Sequence, residues 1–562
     1  MCSKPKNLII NKNIMFKIFS LIFLTTNLIK CQNTTISNAT ANAQIVSPGD
    51  SAWMIVASIL VMIMTPAVGF FYGGMVKTKN MISVLAQTFA IYAITTVVWT
   101  LIGFSLSFGG TNAGVWGDLQ NFALNKVDYE PNSNYGSTIP FFLFYFFQTK
   151  FAVISPALII GATAERVKFL PICIFSLIWT ILVYCPIAHW NWNMGGWLNM
   201  LGTKDFAGGN VIHISAGISA IAIVFVIRDE INYRNIDNLQ SEEPNLGFIR
   251  NQPKKGYMIN EYEKTYSRPK SKSDSDDSKN SLVFVVIGTM LLWFGWFGFN
   301  GGSAFMAERS AILAIVNTNV SPCISLLTWV VLDLIFKGRP TLTGMCIGAV
   351  AGLVGITPAA GFCRVWAGVV IGVGSSFFPY MFTMIKDKYK LFDDRLDVFG
   401  CHGIAGIWGG FCVGLFYCDI KYDNTCDPNS SGAFYGNGGI QLVYQLIGII
   451  STVSYCFVSS TIIMYLLKLT MKITVDRKLI DDGLDKVEFN ENALDVFRKK
   501  NSIFFLRQNT NNEKNANTEQ YLISNHKDGF PDENNVDECL SLSESQKFRN
   551  ENQTQNKNTR LI

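Results

Sequence analysis

Residues 208–217 read GGNVIHISAG and residues 397–410 read DVFGCHGIAGIWGG, so His213 and His402 each open the pattern His-x-x-Ala-Gly. Each pattern lies in an apolar stretch long enough to cross a bilayer. An ionisable side chain inside a membrane span is costly and normally faces a bundle interior or a pathway, which makes both histidines candidate functional residues. Two of them in matching context point to an internal repeat.

The chain around them agrees with a membrane location. Of 562 residues, 49% are apolar and 15% charged, and the mean hydropathy is positive. That balance excludes an ordinary soluble multi-domain protein. The net charge of +5 is spread over short loops instead of one patch, which argues against nucleic acid as a partner. The 13 cysteines lie mostly in apolar segments with no CxxC pair, so most read as small core residues, with Cys418 and Cys426 as the exception.

Eleven stretches approach the ~20 residues that a helix needs to span the hydrocarbon. They lie at about 52–75, 82–108, 138–161, 169–190, 207–227, 281–300, 310–336, 341–357, 365–385, 398–417 and 440–469. Before them, residues 1–31 have the layout of a signal peptide, with an uncleaved anchor helix as the alternative. The short segment 32–50 carries sequons at Asn33 and Asn38, which predict an external N-terminus. An odd number of spans then leaves the C-terminus inside. Charge supports this orientation. Lys77, Lys79, Arg166, Lys168, Lys337, Arg339, Lys386, Lys388, Lys390 and Arg395 fall in loops counted as cytoplasmic, against Lys126, Lys204, Arg309, Arg364 and Lys421 outside.

Two further pieces read as weakly ordered, the insert 229–280 with its SRPKSKSDSDDSK run and the Asn- and Glu-rich end of the 471–562 tail. Residues 473–500 look more like a docking segment. Outside, Cys418 and Cys426 flank a loop next to a sequon at Asn429, an arrangement compatible with a disulfide.

The expected fold is an all-α polytopic membrane domain over 51–470, built as five plus five spans with a long final helix. Five is odd, so the halves are inverted relative to each other. The sequence Gly69-Phe70-Phe71-Tyr72-Gly73-Gly74 in span one is echoed by Gly298-Phe299-Asn300-Gly301-Gly302 in span six. Inverted repeats place a site between the halves, near the midplane, where the histidines would face each other. Depth alone leaves a problem. Counting about 1.5 Å per residue inward from Asp205 and Asp397 separates the rings by roughly 10 Å in a ~30 Å core, so tilt or a late helix start must close the gap.

Two neutral imidazoles can share one N–H···N bond and still offer sites to a small polar passenger. Stripping a small cation of water costs on the order of 20 kcal/mol in an idealised estimate. A pore for bare cations would use carboxylates or carbonyl rings instead. Histidine pairs suit a neutral donor–acceptor molecule, a proton, or both. Two structural core histidines are the bland alternative. A metal site lacks further ligands beside Cys401, and an enzyme would lack an activated nucleophile, so neither a metal nor a cofactor is expected.

At this point the chain resembles the ammonium transporters of the Amt/Rh type, from about Ala52 to Thr470. The resemblance rests on Asp205-Phe206-Ala207-Gly208-Gly209 before His213, Ala164-Glu165-Arg166 after span three, Trp296-Phe297-Gly298-Phe299-Asn300 with Gly302-Ser303, and Asp397-Val398-Phe399-Gly400 before His402. It implies that His213 and His402 line a pore for ammonia. It also implies that Phe147, Trp192 and Ser303 recruit ammonium outside, and that Phe151 and Phe299 form a gate at which the ion is deprotonated. Asp205 and Asp397 would cap the starts of spans five and ten, Asp205 also holding negative potential near the recruitment site. The family forms homotrimers in the plasma membrane with one pore per subunit. Trp192 points to the Amt branch; a gas facilitator of Rh type and an ammonium sensor are the alternatives. Lys150, between Phe147 and Phe151, departs from the pattern. It would repel substrate if it faced the vestibule, but it projects about 100° from Phe151 around the helix.

Overall fold

The structure, a computed structural model, describes residues 45–240, 281–419, 425–436, 439–480 and 482–491. The signal-like segment, Asn33, Asn38, residues 241–280 of the insert and the distal tail lie outside the described residues.

Among the described residues, eleven helices are long and apolar enough to cross a membrane: α1 (Pro48–Met75), α2 (Thr78–Phe108), α3 (Phe141–Thr163), α4 (Phe169–Leu201), α5 (Gly209–Arg228), α6 (Leu282–Gly302), α7 (Arg309–Lys337), α8 (Leu342–Ala359), α9 (Val365–Tyr389), α10 (Phe399–Phe416) and α11 (Ile440–Thr470). Their outward faces carry exposed apolar side chains such as Ile59, Phe89, Val283, Ile335 and Ile450. A chain in water would bury such a belt, whereas lipid leaves it exposed.

Sequence and structure differ mainly at helix ends. Span three begins at Phe141, because residues 136–140 pair as a strand with Pro131–Asn132. The helix of α5 continues to Gln240, into the insert expected to be unstructured. Span four runs on past a break at residues 193–196.

Packing follows the inverted repeat. In the first half α3 packs on α5 and α2 on α4; in the second, α8 packs on α10 and α7 on α9. The halves meet along α1 with α6 and along α5 with α10, and α11 covers α5 and α10. Small residues permit the first contact, as is usual between membrane helices. A Cβ on Gly74 would lie 2.6 Å from the Val285 amide nitrogen, and one on Gly288 would lie 2.4 Å from that of Phe71.

The end carrying the α2 and α4 starts is tied together by charge. Glu165, left-handed at φ +66°, accepts from the Lys77 amide at 2.7 Å and Asn80 Nδ2 at 3.1 Å, and pairs with Arg395 at 2.5 Å. Arg166 pairs with Asp393. These two residues after α3 therefore bind the loop before α10, joining the halves. Over the same surface lies the C-terminal segment. Asp485 accepts from the Ile82 and Ser83 amides at 3.0 and 2.7 Å, and Glu488 from Phe169 at 2.9 Å. Each carboxylate thus caps a helix start from a distant part of the chain. At the opposite end Cys418 and Cys426 form a disulfide, and Asn429 is exposed.

Glu165→Ala should destabilise the folded protein by about 1–3 kcal/mol, since it leaves buried amides without an acceptor. A drop of several degrees in the thermal midpoint of the detergent-solubilised protein would show it, and an unchanged midpoint would not fit this network.

Candidate functional site

Both histidines sit in the first, widened turns of their helices, π-type segments at Gly209–Ile214 and Phe399–Ile404. Such turns recur at functional positions in helices. Here they bring the rings together. His213 Nδ1 lies 3.3 Å from His402 Nδ1, with ring centroids 5.4 Å apart and both residues buried.

The repeated motif explains the approach. A Cβ on Gly217 would stand 2.4 Å from the Gly403 amide nitrogen and 3.2 Å from the His402 carbonyl carbon; one on Gly406 would stand 3.2 Å from His213 Cβ. The glycine four residues after each histidine is therefore where the opposite helix crosses. Its missing side chain lets the rings meet.

Between neutral rings one Nδ1–H donates and the other Nδ1 accepts, so the two Nε2 atoms differ, one being an acceptor and the other a donor. His213 Nε2 is buried and has no hydrogen-bond partner in the protein. His213 also stacks on Trp296, centroids 5.4 Å apart, whose Nε1 donates to Thr357 Oγ1 at 2.9 Å. Trp296 entered the sequence reading only as part of a motif, although a fixed indole face helps to set the ring plane of His213.

Above His213 lies an aromatic column. Phe299 is 6.1 Å from His213 and stacks on Phe151 at 4.3 Å, and both phenylalanines are essentially fully buried. Phe151 contacts Phe147 at 4.7 Å and meets the Trp192 ring edge-on at 6.0 Å. Phe147 is fully buried, with Phe305 against it at 5.9 Å. Trp192 is partly exposed and donates Nε1–H to the Asp205 carbonyl at 2.9 Å. Ser303 donates to the Phe299 carbonyl at 2.8 Å, which leaves its oxygen lone pairs available. It also stands at the C-terminal end of α6, where partial negative charge favours a cation.

The Asp205 carboxylate accepts from the amides of Gly208, Gly209, Asn210 and Val211 at 2.6–3.2 Å. Burial pushes its pKa up, and these four amides oppose that shift. The corresponding group in the second half is not Asp397. Asp394 stands eight residues before His402, as Asp205 does before His213, and it is Asp394 that accepts from the Phe399 amide at 2.7 Å. Asp397 has the left-handed backbone, φ +54°, that Gly208 has at the equivalent place, φ +110°. It serves as the turn residue, and its carboxylate pairs with Lys386. The cap expected of Asp397 is corrected to Asp394, and the shared offset from the two histidines was the available signal. Asp394 keeps one buried oxygen without a partner, and burial, with Asp397 nearby, pushes it up to about 6.

Lys150 points away from this column. It is 5% exposed, its Nζ sits 3.8 Å from the Phe146 ring centre, and it donates to Tyr92 Oη at 3.4 Å. No cluster of metal-ligating side chains occurs among the described residues.

Comparison with known proteins gives a consistent family. The family profile described as Ammonium Transporter Family matches residues 52–249 and 263–494. The ammonium transporter of Bacillus subtilis is 37% identical over 450 residues, covering 79% of this chain and 98% of its own. Ammonium transporter Amt1 of Archaeoglobus fulgidus is 36% identical over 447 residues, covering 80% and 99%. Among solved structures, Candida albicans Mep2 is similar with a TM-score of 0.63 and 32% identity, over 77% of this chain and 87% of that one.

Gly217→Ala should force α5 and α10 apart and break the contact between the imidazoles. Overpacking of this kind costs about 1–3 kcal/mol. An experimental structure of the variant should show the two Nδ1 atoms beyond hydrogen-bond reach. A retained contact near 3.3 Å would contradict the role given to this glycine.

Proposed function

This chain belongs to the ammonium transporter family, and from that premise we propose that it moves ammonium across the plasma membrane as ammonia. The observation that carries this reading is the contact of His213 and His402 at 3.3 Å beneath the Phe151–Phe299 stack. An imidazole pair surrounded by apolar rings holds a small neutral molecule with one donor and one acceptor; a bare cation there would lack the oxygen ligands that replace water.

Recruitment begins at Trp192 and Ser303, with Phe147 behind them. The indole face attracts a cation by roughly 0.5–2 kcal/mol, the Ser303 oxygen accepts an N–H, and the end of α6 adds negative potential. Asp205 holds this mouth in place through two bonds of different kind. Its carbonyl orients Trp192 and its carboxylate caps α5. Phenyl rings cannot solvate an ion, so Phe151 and Phe299 select the deprotonated form, which then passes the histidines. The proton stays outside or crosses by a separate route.

In the orientation we propose, the Trp192 mouth faces outward. The disulfide and the exposed Asn429 sequon lie at that end, as an oxidising compartment permits. The carboxyl segment and the loops rich in Lys and Arg lie at the other, matching the positive-inside asymmetry. On the resemblance, three subunits assemble, each with its own pathway.

Trp192→Ala should raise the half-saturating ammonium concentration about 2- to 30-fold, the range that 0.5–2 kcal/mol allows, while saturating transport changes little. His213→Ala should reduce transport at least tenfold in a protein that still reaches the membrane. Ammonium-evoked current and labelled methylammonium uptake, recorded across external pH, check both. Variants that match the wild type in both measures would remove the assigned pathway, and uptake without current would favour an electroneutral gas facilitator.

A further inference from the structure

The geometry points to Lys150 as a charge-selectivity residue, a fixed cation on the α2-facing side of the pore-lining helix α3 that slows any charged species crossing at the gate and leaves neutral ammonia unaffected. This inference rests on the pathway proposed above. It concerns a group that pathway does not use.

Three observations carry it. Lys150 lies nine residues into α3, about 13 Å along the helix from its start at 1.5 Å per residue, well inside the span. It is also buried, beneath the Phe146 ring at 3.8 Å. Its contacts suit the protonated form. The ring face attracts a cation, and Tyr92 Oη accepts an N–H at 3.4 Å. Among the described residues no ion pair neutralises it.

An uncompensated charge at that depth is costly, and ionisable groups held within spans generally serve a pathway. Lys150 shares a helix face with Phe146, four residues earlier, and that face is turned to α2. Phe147 and Phe151 share the neighbouring face, turned to Phe299. With about 100° between the two faces, the ammonium stands on the order of 10 Å from the gate. At that distance and an effective dielectric near 20, repulsion between two unit charges is worth about tenfold in rate. The same charge would deter substrate if it sat in the vestibule. Placed on the side of α3 that faces α2, it acts on the gate and histidine level while Trp192 and Ser303 still attract ammonium.

Lys150→Met keeps the length and removes the charge, Lys150→Arg keeps the charge, and Lys150→Gln is a second neutral variant should the methionine protein fail to reach the surface. The measurements are ammonium-evoked current per surface transporter and labelled methylammonium uptake. The neutral variant should carry about three- to tenfold more current, or gain a current if the wild type transports without one, with half-saturation within about twofold of wild type. The arginine variant should resemble the wild type. A neutral variant with unchanged or lower current at normal surface level and half-saturation would overturn the inference, as would an arginine variant that behaves like methionine. A wild-type protein with neither uptake nor current would instead sink the proposed pathway.

Discussion

The crossing of α5 and α10 is the constraint from which the rest of the centre follows. Two helices from oppositely oriented halves approach until the backbone of one fills the space left by a glycine of the other, at Gly217 and at Gly406. Glycine is needed here for closeness, and the cost of its chain freedom is offset by packing on both sides. Once the backbones touch, side chains four residues earlier on each helix must meet, and these are the histidines. Charging both rings in this dry surrounding would set two cations about 3 Å apart. The pair therefore rests with one shared proton between the facing nitrogens.

The repeat is close in backbone and looser in chemistry. Asp205 and Asp394 hold the same offset from their histidines, and Gly208 and Asp397 make the same left-handed turn. Yet Asp205 satisfies four amides, whereas Asp394 retains a buried oxygen without a partner. Asp397, forced into a conformation that glycine adopts freely, is held by Lys386. The two ends of the proposed pathway thus differ electrostatically although the helices around them are related by inversion. A transporter needs such a difference if one end is to gather ions and the other to release a neutral product.

Much of this architecture was legible in the sequence because lipid imposes simple rules. Eleven apolar stretches and an odd count per half are enough to imply the inverted bundle. The pairing of His213 and His402 followed from the repeated His-x-x-Ala-Gly, including the glycine whose purpose the crossing explains. What could not be read was local and three-dimensional. The assignment of Asp397 as the cap failed because adjacency to a motif was weighed above the offset from the histidine. The direction of Lys150 was readable from helical spacing, but not its seat under Phe146. The hairpin at 131–140 shortened span three because a strand pairing competed with apolar periodicity. The trans caps by Asp485 and Glu488 join residues some 320 to 400 positions apart, beyond any local pattern.

On the proposed pathway, a separation of attraction from passage runs through the helices that line the route. At the mouth, α6 offers the end of its dipole and Ser303, and α4 offers the face of Trp192; each favours positive charge and keeps it partly hydrated. Within about one turn, the same α6 contributes Phe299 and α3 contributes Phe151, rings that offer an ion neither oxygen nor space. Binding that strengthens up to the gate and weakens beyond it would trap a cation if the cation were the cargo. It would not trap a molecule that leaves its charge behind, since neutral ammonia would interact weakly with the ring faces and meet the donor and acceptor nitrogens of the histidines below them. This is the physical ground for the proposed deprotonation between Trp192 and His213, and the charge inferred to act from Lys150 would add to the same preference.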